Sequence, residues 1–163
     1  MEPRIKFEEV PQELYGLMRN IENYLKTSGL PHSLLELIKI RASQINGCGY
    51  CLDMHHKDAI VGGASLQRLY LLPAWKESPV FTDEEKSVLN LTEALTKIAS
   101  VDVEDIGRAY DRVAQYYSKA EIAKVIMAIN QINAWNRWAI TLGTTPGSYK
   151  PDLSLKFQME EVN

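Results

Sequence analysis

The two cysteines of the chain, Cys48 and Cys51, stand three positions apart, and His55 follows the second by four. A disulfide closing so short a loop restricts the unfolded chain little, and a reducing compartment tends to keep it open. The pair is better explained by chemistry or by a metal than as a staple. It lies just after Asn46-Gly47, a helix stop, so the first turn of a new helix is expected at Cys48. Free N–H groups and the positive end of the helix dipole favour an anion there. A cysteine in that position ionises below its free pKa of ~8.5, and the thiolate is the nucleophilic form. Residues three apart in a helical turn share one face, so oxidation of one thiol lets the pair close.

His55 lies one helical turn beyond Cys51 on the same face, where an imidazole can take a thiol proton directly or through one water. Glu36 belongs to the preceding helix. A hairpin through Asn46-Gly47 brings that helix back against the Cys–His face, where a carboxylate can orient His55 or accept the relayed proton.

Helices must position these groups, and helix signals dominate the sequence. Three capping boxes are read at Ser33–Glu36, Thr82–Glu85 and Ser118–Glu121. Apolar residues at spacings of three and four (Leu14, Leu17, Met18, Ile21, Tyr24, Leu25) predict a first helix over about 11–26. A second follows the Ser33 cap to Asn46, and a third runs from near Cys48 to Gly62-Gly63. A short piece over 65–72 is halted by Pro73, and further helices are expected at 83–100, 102–117 and 119–142. The last is apolar over much of its circumference (Ile122, Val125, Ile126, Ile129, Ile132), which suits a helix buried in the domain or between subunits. Residues 143–163, with Pro146, Gly147 and Pro151, read as an extended arm. Without a convincing strand pattern, the expectation is one all-α domain over 1–163, a bundle of six to seven helices.

Composition narrows the function. The chain has 163 residues, 45% hydrophobic and 24% charged, which suits one globular domain. A net charge of −3, without a basic run, argues against nucleic acid and anionic membrane as partners. No apolar run approaches the ~20 residues of a membrane span. The start, Met1-Glu2-Pro3-Arg4, lacks a secretion signal's apolar stretch, so a cytoplasmic location is expected.

Glu36, eleven intervening residues, Cys48-x-x-Cys51 and then x-x-x-His55 resemble the signature of the alkylhydroperoxidase D-like branch of the carboxymuconolactone decarboxylase superfamily. The strong part of the match spans Leu35 to Ala59, and the stretch Ala128–Arg137 also resembles a segment common in that branch. The resemblance implies an all-helical fold assembling as trimers or hexamers, and hydroperoxide reduction by a cysteine pair without cofactor or metal. It implies Cys51 as the peroxide-attacking thiolate, Cys48 as the resolving thiol, and His55 with Glu36 as the proton relay. The implied partners are a hydroperoxide and a dithiol donor of thioredoxin-like or lipoyl type. The decarboxylase branch lacks the cysteine pair, which argues against lactone decarboxylation. One position departs from the branch's best-known pattern: Tyr50 stands where a histidine precedes the second cysteine, and a phenol is a poor base near neutral pH.

Each residue also has a plain structural use. Glu36 fits the third position of the Ser33 capping box. The cysteines could be inert buried thiols, and His55 a satisfied histidine on a half-buried face. His56 is expected at the surface and His32 in the turn before the cap. Trp135 and Trp138 are expected in core or interface rather than as a cofactor platform. Asn130, Asn133 and Asn136 share one helix face and are expected either to bond across subunits or to line the site. Zinc on Cys48, Cys51 and His55, with Asp53 or His56 as a fourth ligand, lacks the usual second ligand pair. A thioredoxin-like fold needs a strand before the motif, and attached haem needs a histidine where Leu52 stands. Two readings beside the peroxidase stay open: a redox-sensing or interaction module without efficient turnover, and an isomerase or decarboxylase acting on a small organic acid.

Overall fold

The computed structural model describes residues 2–151 and 153. Seven α-helices are found among the described residues and no strand: α1 Gln12–Lys26, α2 His32–Asn46, α3 Gly49–Val61, α4 Leu66–Leu71, α5 Asp83–Thr96, α6 Val103–Val113 and α7 Lys119–Leu142. The all-α expectation holds. Two helices are shorter than expected: α5 and α6 end at Thr96 and Val113, and a 3-10 turn over Ile98–Ser100 follows α5. Pro73 does not simply end α4. It sits inside a 3-10 turn, Leu72–Ala74, where its missing N–H costs nothing.

Two of the three expected capping boxes form. Thr82 accepts from the Glu85 backbone N–H and Glu85 returns to the Thr82 N–H, and Ser118 and Glu121 do the same. The third does not. Helix α2 starts one residue before Ser33, behind Pro31, without a side-chain cap. Glu36 is turned into the protein instead, because charged partners there compete for its carboxylate.

The middle of the bundle is α2, which packs against α3, α5 and α7. Leu34, Leu35, Ile38 and Ala42 of α2 join Val88 and Leu91 of α5 and Val125, Ile129 and Ile132 of α7 in the main core. Leu37 and Ile40, on its other flank, pack with Ala59, Leu69, Leu72, Phe81 and Leu89. With apolar residues on both flanks, α2 is buried around most of its circumference. Glu36 and Lys39 are carried inside by it, 3% and 4% exposed. The stripe read along α1 is only partly inward: Leu25 is buried, whereas Leu14, Leu17 and Tyr24 face out.

The turn from α2 to α3 delivers the cysteines. Gly47 adopts φ 69°, a left-handed conformation that suits glycine, and its N–H and that of Cys48 both reach Ser43 O. The arm expected over 143–163 is described only to Pro151 and at Leu153; Asp152 and 154–163 lie outside the described residues. Its described part returns along α3. The Gly147 N–H meets Asp53 Oδ2 at 3.0 Å, and Lys57 Nζ reaches Tyr149 O at 3.1 Å.

Candidate functional site

Cys48 is the N-cap of α3, and its sulfur accepts from the Cys51 backbone N–H at 3.3 Å. The two cysteines are joined in a disulfide with 5.4 Å between their Cα atoms, and each is 1% exposed. The start of α3 therefore addresses the Cys48 sulfur, which satisfies one of its unpaired N–H groups. Tyr50, between the two cysteines, is half-buried, and burial, with Tyr15 and Asp53 nearby, pushes its phenol above the ordinary value.

His55, buried on α3 one turn after Cys51, meets Glu36 of α2 through Nδ1–Oε2 at 2.9 Å. The expected hairpin thus brings these two groups together. Lys39 Nζ stands 3.4 Å from Glu36 Oε1 and 3.2 Å from Glu22 Oε2 of α1, and His32 Nε2 lies 3.9 Å from Glu36 Oε1. Burial alone would raise the Glu36 carboxyl. The charges of His55 and Lys39, the His55 hydrogen bond and His32 outweigh it and bring the carboxyl down to about 2. Glu36 is therefore an anion across the neutral range. An ionised carboxylate only accepts, so His55 Nδ1 carries the proton between them, and Nε2 is the nitrogen able to take one. Of the two roles foreseen for Glu36, orienting His55 fits this electrostatics better than accepting a proton. Burial opposes the charge on Lys39 as well, yet Glu36 and Glu22 raise its ammonium above the ordinary lysine value.

Sequence reasoning missed Lys39, Asp58 and Tyr149. Lys39 and Asp58 lie one turn from Glu36 and His55, so helical spacing could have flagged both. One ligand-type atom from each of Glu36, His55 and Asp58 lies within 4.8 Å of the others. The Tyr149 hydroxyl donates to the Asp58 carboxylate, 2.8 and 3.1 Å from its two oxygens, across 91 positions of sequence. No local spacing announces that contact.

The remaining residues read from the sequence fall elsewhere. His32, expected in the turn, opens α2 and is half-buried; a Cβ on Gly62 would stand 2.9 Å from its Nδ1, so glycine there makes room for the ring. His56, also half-buried, bonds Leu52 O at 2.7 Å through Nδ1. A cavity of about 370 Å³ borders Glu36 and is lined by His32, Leu37, Ile40 and Arg68 among others. Asn133 and Asn136 bond within the chain, to Asn46, Thr96 and Ser43, whereas Asn130 is exposed. Trp135 and Trp138 stack edge-to-face, and Trp135 Nε1 donates to Glu22.

A model of the carboxymuconolactone decarboxylase family matches residues 12–94, the span from α1 to α5 that holds Glu36, both cysteines and His55. The chain belongs to this family. The uncharacterised protein YdfG of Bacillus subtilis is 40% identical over 148 residues, covering 91% of this chain and 99% of YdfG. The crystal structure of ATU0492 from Agrobacterium tumefaciens, a protein of unknown function provisionally linked to antioxidant defence as an AhpD protein, superposes with a TM-score of 0.84. It shares 37% identity, over 91% of this chain and 100% of that one. A peroxidase-related protein from Ralstonia eutropha JMP134, with an alkylhydroperoxidase AhpD core, has a TM-score of 0.71 at 14% identity, over 90% and 74%, a likeness of fold. Within the decarboxylase family the chain falls in the alkylhydroperoxidase D-like branch. No helix among the described residues is long and apolar enough to cross a membrane.

Proposed function

We propose that the protein is a thiol-dependent hydroperoxide reductase that works through Cys51 and Cys48, with His55 and Glu36 governing the proton. The observation that carries this reading is the Cys48–Cys51 disulfide at the start of α3, one turn from an imidazole held by a buried carboxylate. His55 Nε2 takes the Cys51 proton while Nδ1 stays bonded to Glu36. The Cys51 thiolate attacks the distal peroxide oxygen; the S–O bond forms, the O–O bond breaks, and the departing oxygen takes a proton and leaves as alcohol or water. Cys48 sulfur then attacks the Cys51 sulfenic acid, forming the disulfide and releasing water. A dithiol, of thioredoxin-like or lipoyl type, restores both thiols by two exchanges and is itself oxidised to a disulfide. The likeness to ATU0492, linked provisionally to antioxidant defence, supports the same direction.

The test is peroxide consumption with several dithiol donors, run beside Cys51→Ala. The wild type should turn over and the variant should not, and peroxide should convert the reduced protein to the Cys48–Cys51 disulfide, lighter by two hydrogens. Full activity in Cys51→Ala ends the proposal.

Burial of both sulfurs to 1% exposure favours a second reading, a redox sensor that oxidises once and changes its interactions. Sustained turnover in excess dithiol counts against it. An activity on a small organic acid that survived alkylation of both thiols would point instead to isomerase or decarboxylase chemistry; the cysteine pair disfavours that. The exposed apolar residues Leu14, Leu17, Tyr24 and Met127 suit the proposed homo-oligomer, a trimer or hexamer. A sedimentation mass of one chain at micromolar concentration refutes it. The proposed site of action is the cytoplasm.

A further inference from the structure

Two carboxylates flank His55, and only one of them holds it. Glu36 is ionised, hydrogen-bonded to Nδ1 and paired with Lys39, so it anchors the ring but is too weak a base to carry a proton. Asp58 differs in every respect. It lies one turn beyond His55 on α3, is half-buried, and makes its hydrogen bond to Tyr149 rather than to a cation. The 4.8 Å that encloses Glu36, His55 and Asp58 is a span one bridging water covers. Among the groups facing Asp58, Glu36 opposes its charge, while His55 and Lys39 favour it and the Tyr149 hydroxyl donates to it. Burial comes first and, with Glu36, lifts the Asp58 carboxyl above the ordinary aspartate value. When neighbouring carboxyls are driven apart in this way, the depressed one serves as fixed charge and the raised one as proton carrier.

We propose that Asp58 stores the Cys51 proton during peroxide attack and that Tyr149, donating from the segment after α7, sets how readily it does so. This inference rests on the peroxidase reading and adds a proton path to it. The Sγ–H bond of Cys51 breaks as His55 Nε2 gains the proton, and the imidazolium passes that proton from Nε2 to an Asp58 oxygen, directly or through a water. After the O–O bond breaks, the proton returns along the same path to the departing oxygen. The oxidation step then releases no net proton to solvent. Asp58 acts through His55 and does not touch sulfur. The Tyr149 bond also gives the return of the C-terminal segment along α3 a purpose, since the proton store is completed only when that segment is in place.

The test uses the reduced full-length protein in two assays. The first is the pH dependence of Cys51 alkylation by iodoacetamide in a Cys48→Ser background, which needs no peroxide. The second is the pH profile of kcat/KM for peroxide in the otherwise wild-type chain. Asp58→Asn removes the proton acceptor and keeps the shape, and Tyr149→Phe removes only the hydroxyl. The alkylation midpoint should rise by about one pH unit in Asp58→Asn, which loses the acceptor, and fall by about half a unit in Tyr149→Phe, since an aspartate without its donor is a stronger base and takes the thiol proton more readily. The acid limb of kcat/KM should move up in Tyr149→Phe, and the plateau should fall about tenfold in Asp58→Asn. A merely structural role lowers rates and leaves the midpoints in place. Unmoved alkylation midpoints in both variants, beside an active wild type, overturn this inference and spare the peroxidase reading. Shifted midpoints without peroxide turnover in the wild type overturn the peroxidase reading and keep the coupling of Asp58 to Cys51.

Discussion

Helix α2 carries two buried polar clusters, one near each end, and they are built differently. Near its C-terminus, Asn46 donates to both Asn133 and Asn136, Asn136 donates to Ser43, and Asn133 donates to Thr96. Every member is neutral. The amides tie the end of α2 to α5 and α7, just before the turn that delivers Cys48. Near its N-terminus the same helix carries Glu36 and Lys39, with His55, Asp58 and Glu22 around them. Neither region leaves a buried side-chain polar atom unpaired among the described residues. The difference is in the charge states. A neutral network that satisfies itself holds helices in register, whereas buried ionised groups are costly, and the cost is more readily explained where a proton must move.

The comparison breaks most visibly at Glu36. Glu36→Gln keeps the shape and removes the anion that holds His55, and on the peroxidase reading kcat/KM for peroxide should fall on the order of a hundredfold or more. The same variant should alter the acid limb of stability. The folded carboxyl sits at about 2 against an ordinary 4.5. A depressed carboxyl contributes stability above its unfolded value and loses it as pH falls through the folded one, here between about pH 5 and pH 2. The wild type should thus shed on the order of 3 kcal/mol over that window through this one group. Urea unfolding at pH 6 and pH 3 reads it: Glu36→Gln should show a shallower loss, and an unchanged slope would mean that the His55 and Lys39 contacts do not depress the group.

Asn136→Ala tests the other region. It removes the donor to Ser43 and one acceptor of Asn46, and should cost about 1–3 kcal/mol in urea unfolding. The pH dependence of Cys51 alkylation should stay as in the wild type, because no charge near the sulfur changes. A midpoint moved as far as in Asp58→Asn would show that the two clusters are not separate in function.

The charged cluster was only partly legible in the sequence. Cys48, Cys51 and His55 could be read because their spacing is local to one helix, and Glu36 because a glycine turn folds α2 back on α3. The clean stop at Gly47 and the full length of α7 were legible for the same reason: caps and periodicity are local. Tyr149 was not, since its contact with Asp58 depends on where the chain goes after α7. The asparagines were visible as a stripe, but their partners lie on two other helices. The outward face of α1 shows the limit of periodicity, which reports that a stripe is apolar and not what covers it.

The smallest effect is expected where that reading went wrong. Ser33–Glu36 and Thr82–Glu85 are the same signature in sequence, yet only the second closes. A capping box requires its glutamate to reach back over the first turn. Glu85 does so, at 3.0 Å from the Thr82 N–H, while its other oxygen pairs with Arg68. Glu36 is committed inward to His55 and Lys39, so Ser33 is left exposed at a helix start that Pro31 already defines. Thr82→Ala should therefore cost about 1 kcal/mol in urea unfolding. Ser33→Ala should stay within about 0.5 kcal/mol, the range of a surface change that touches no special feature. Equal losses in the two variants would mean that Glu36 spends part of its time at the cap, and hence away from His55.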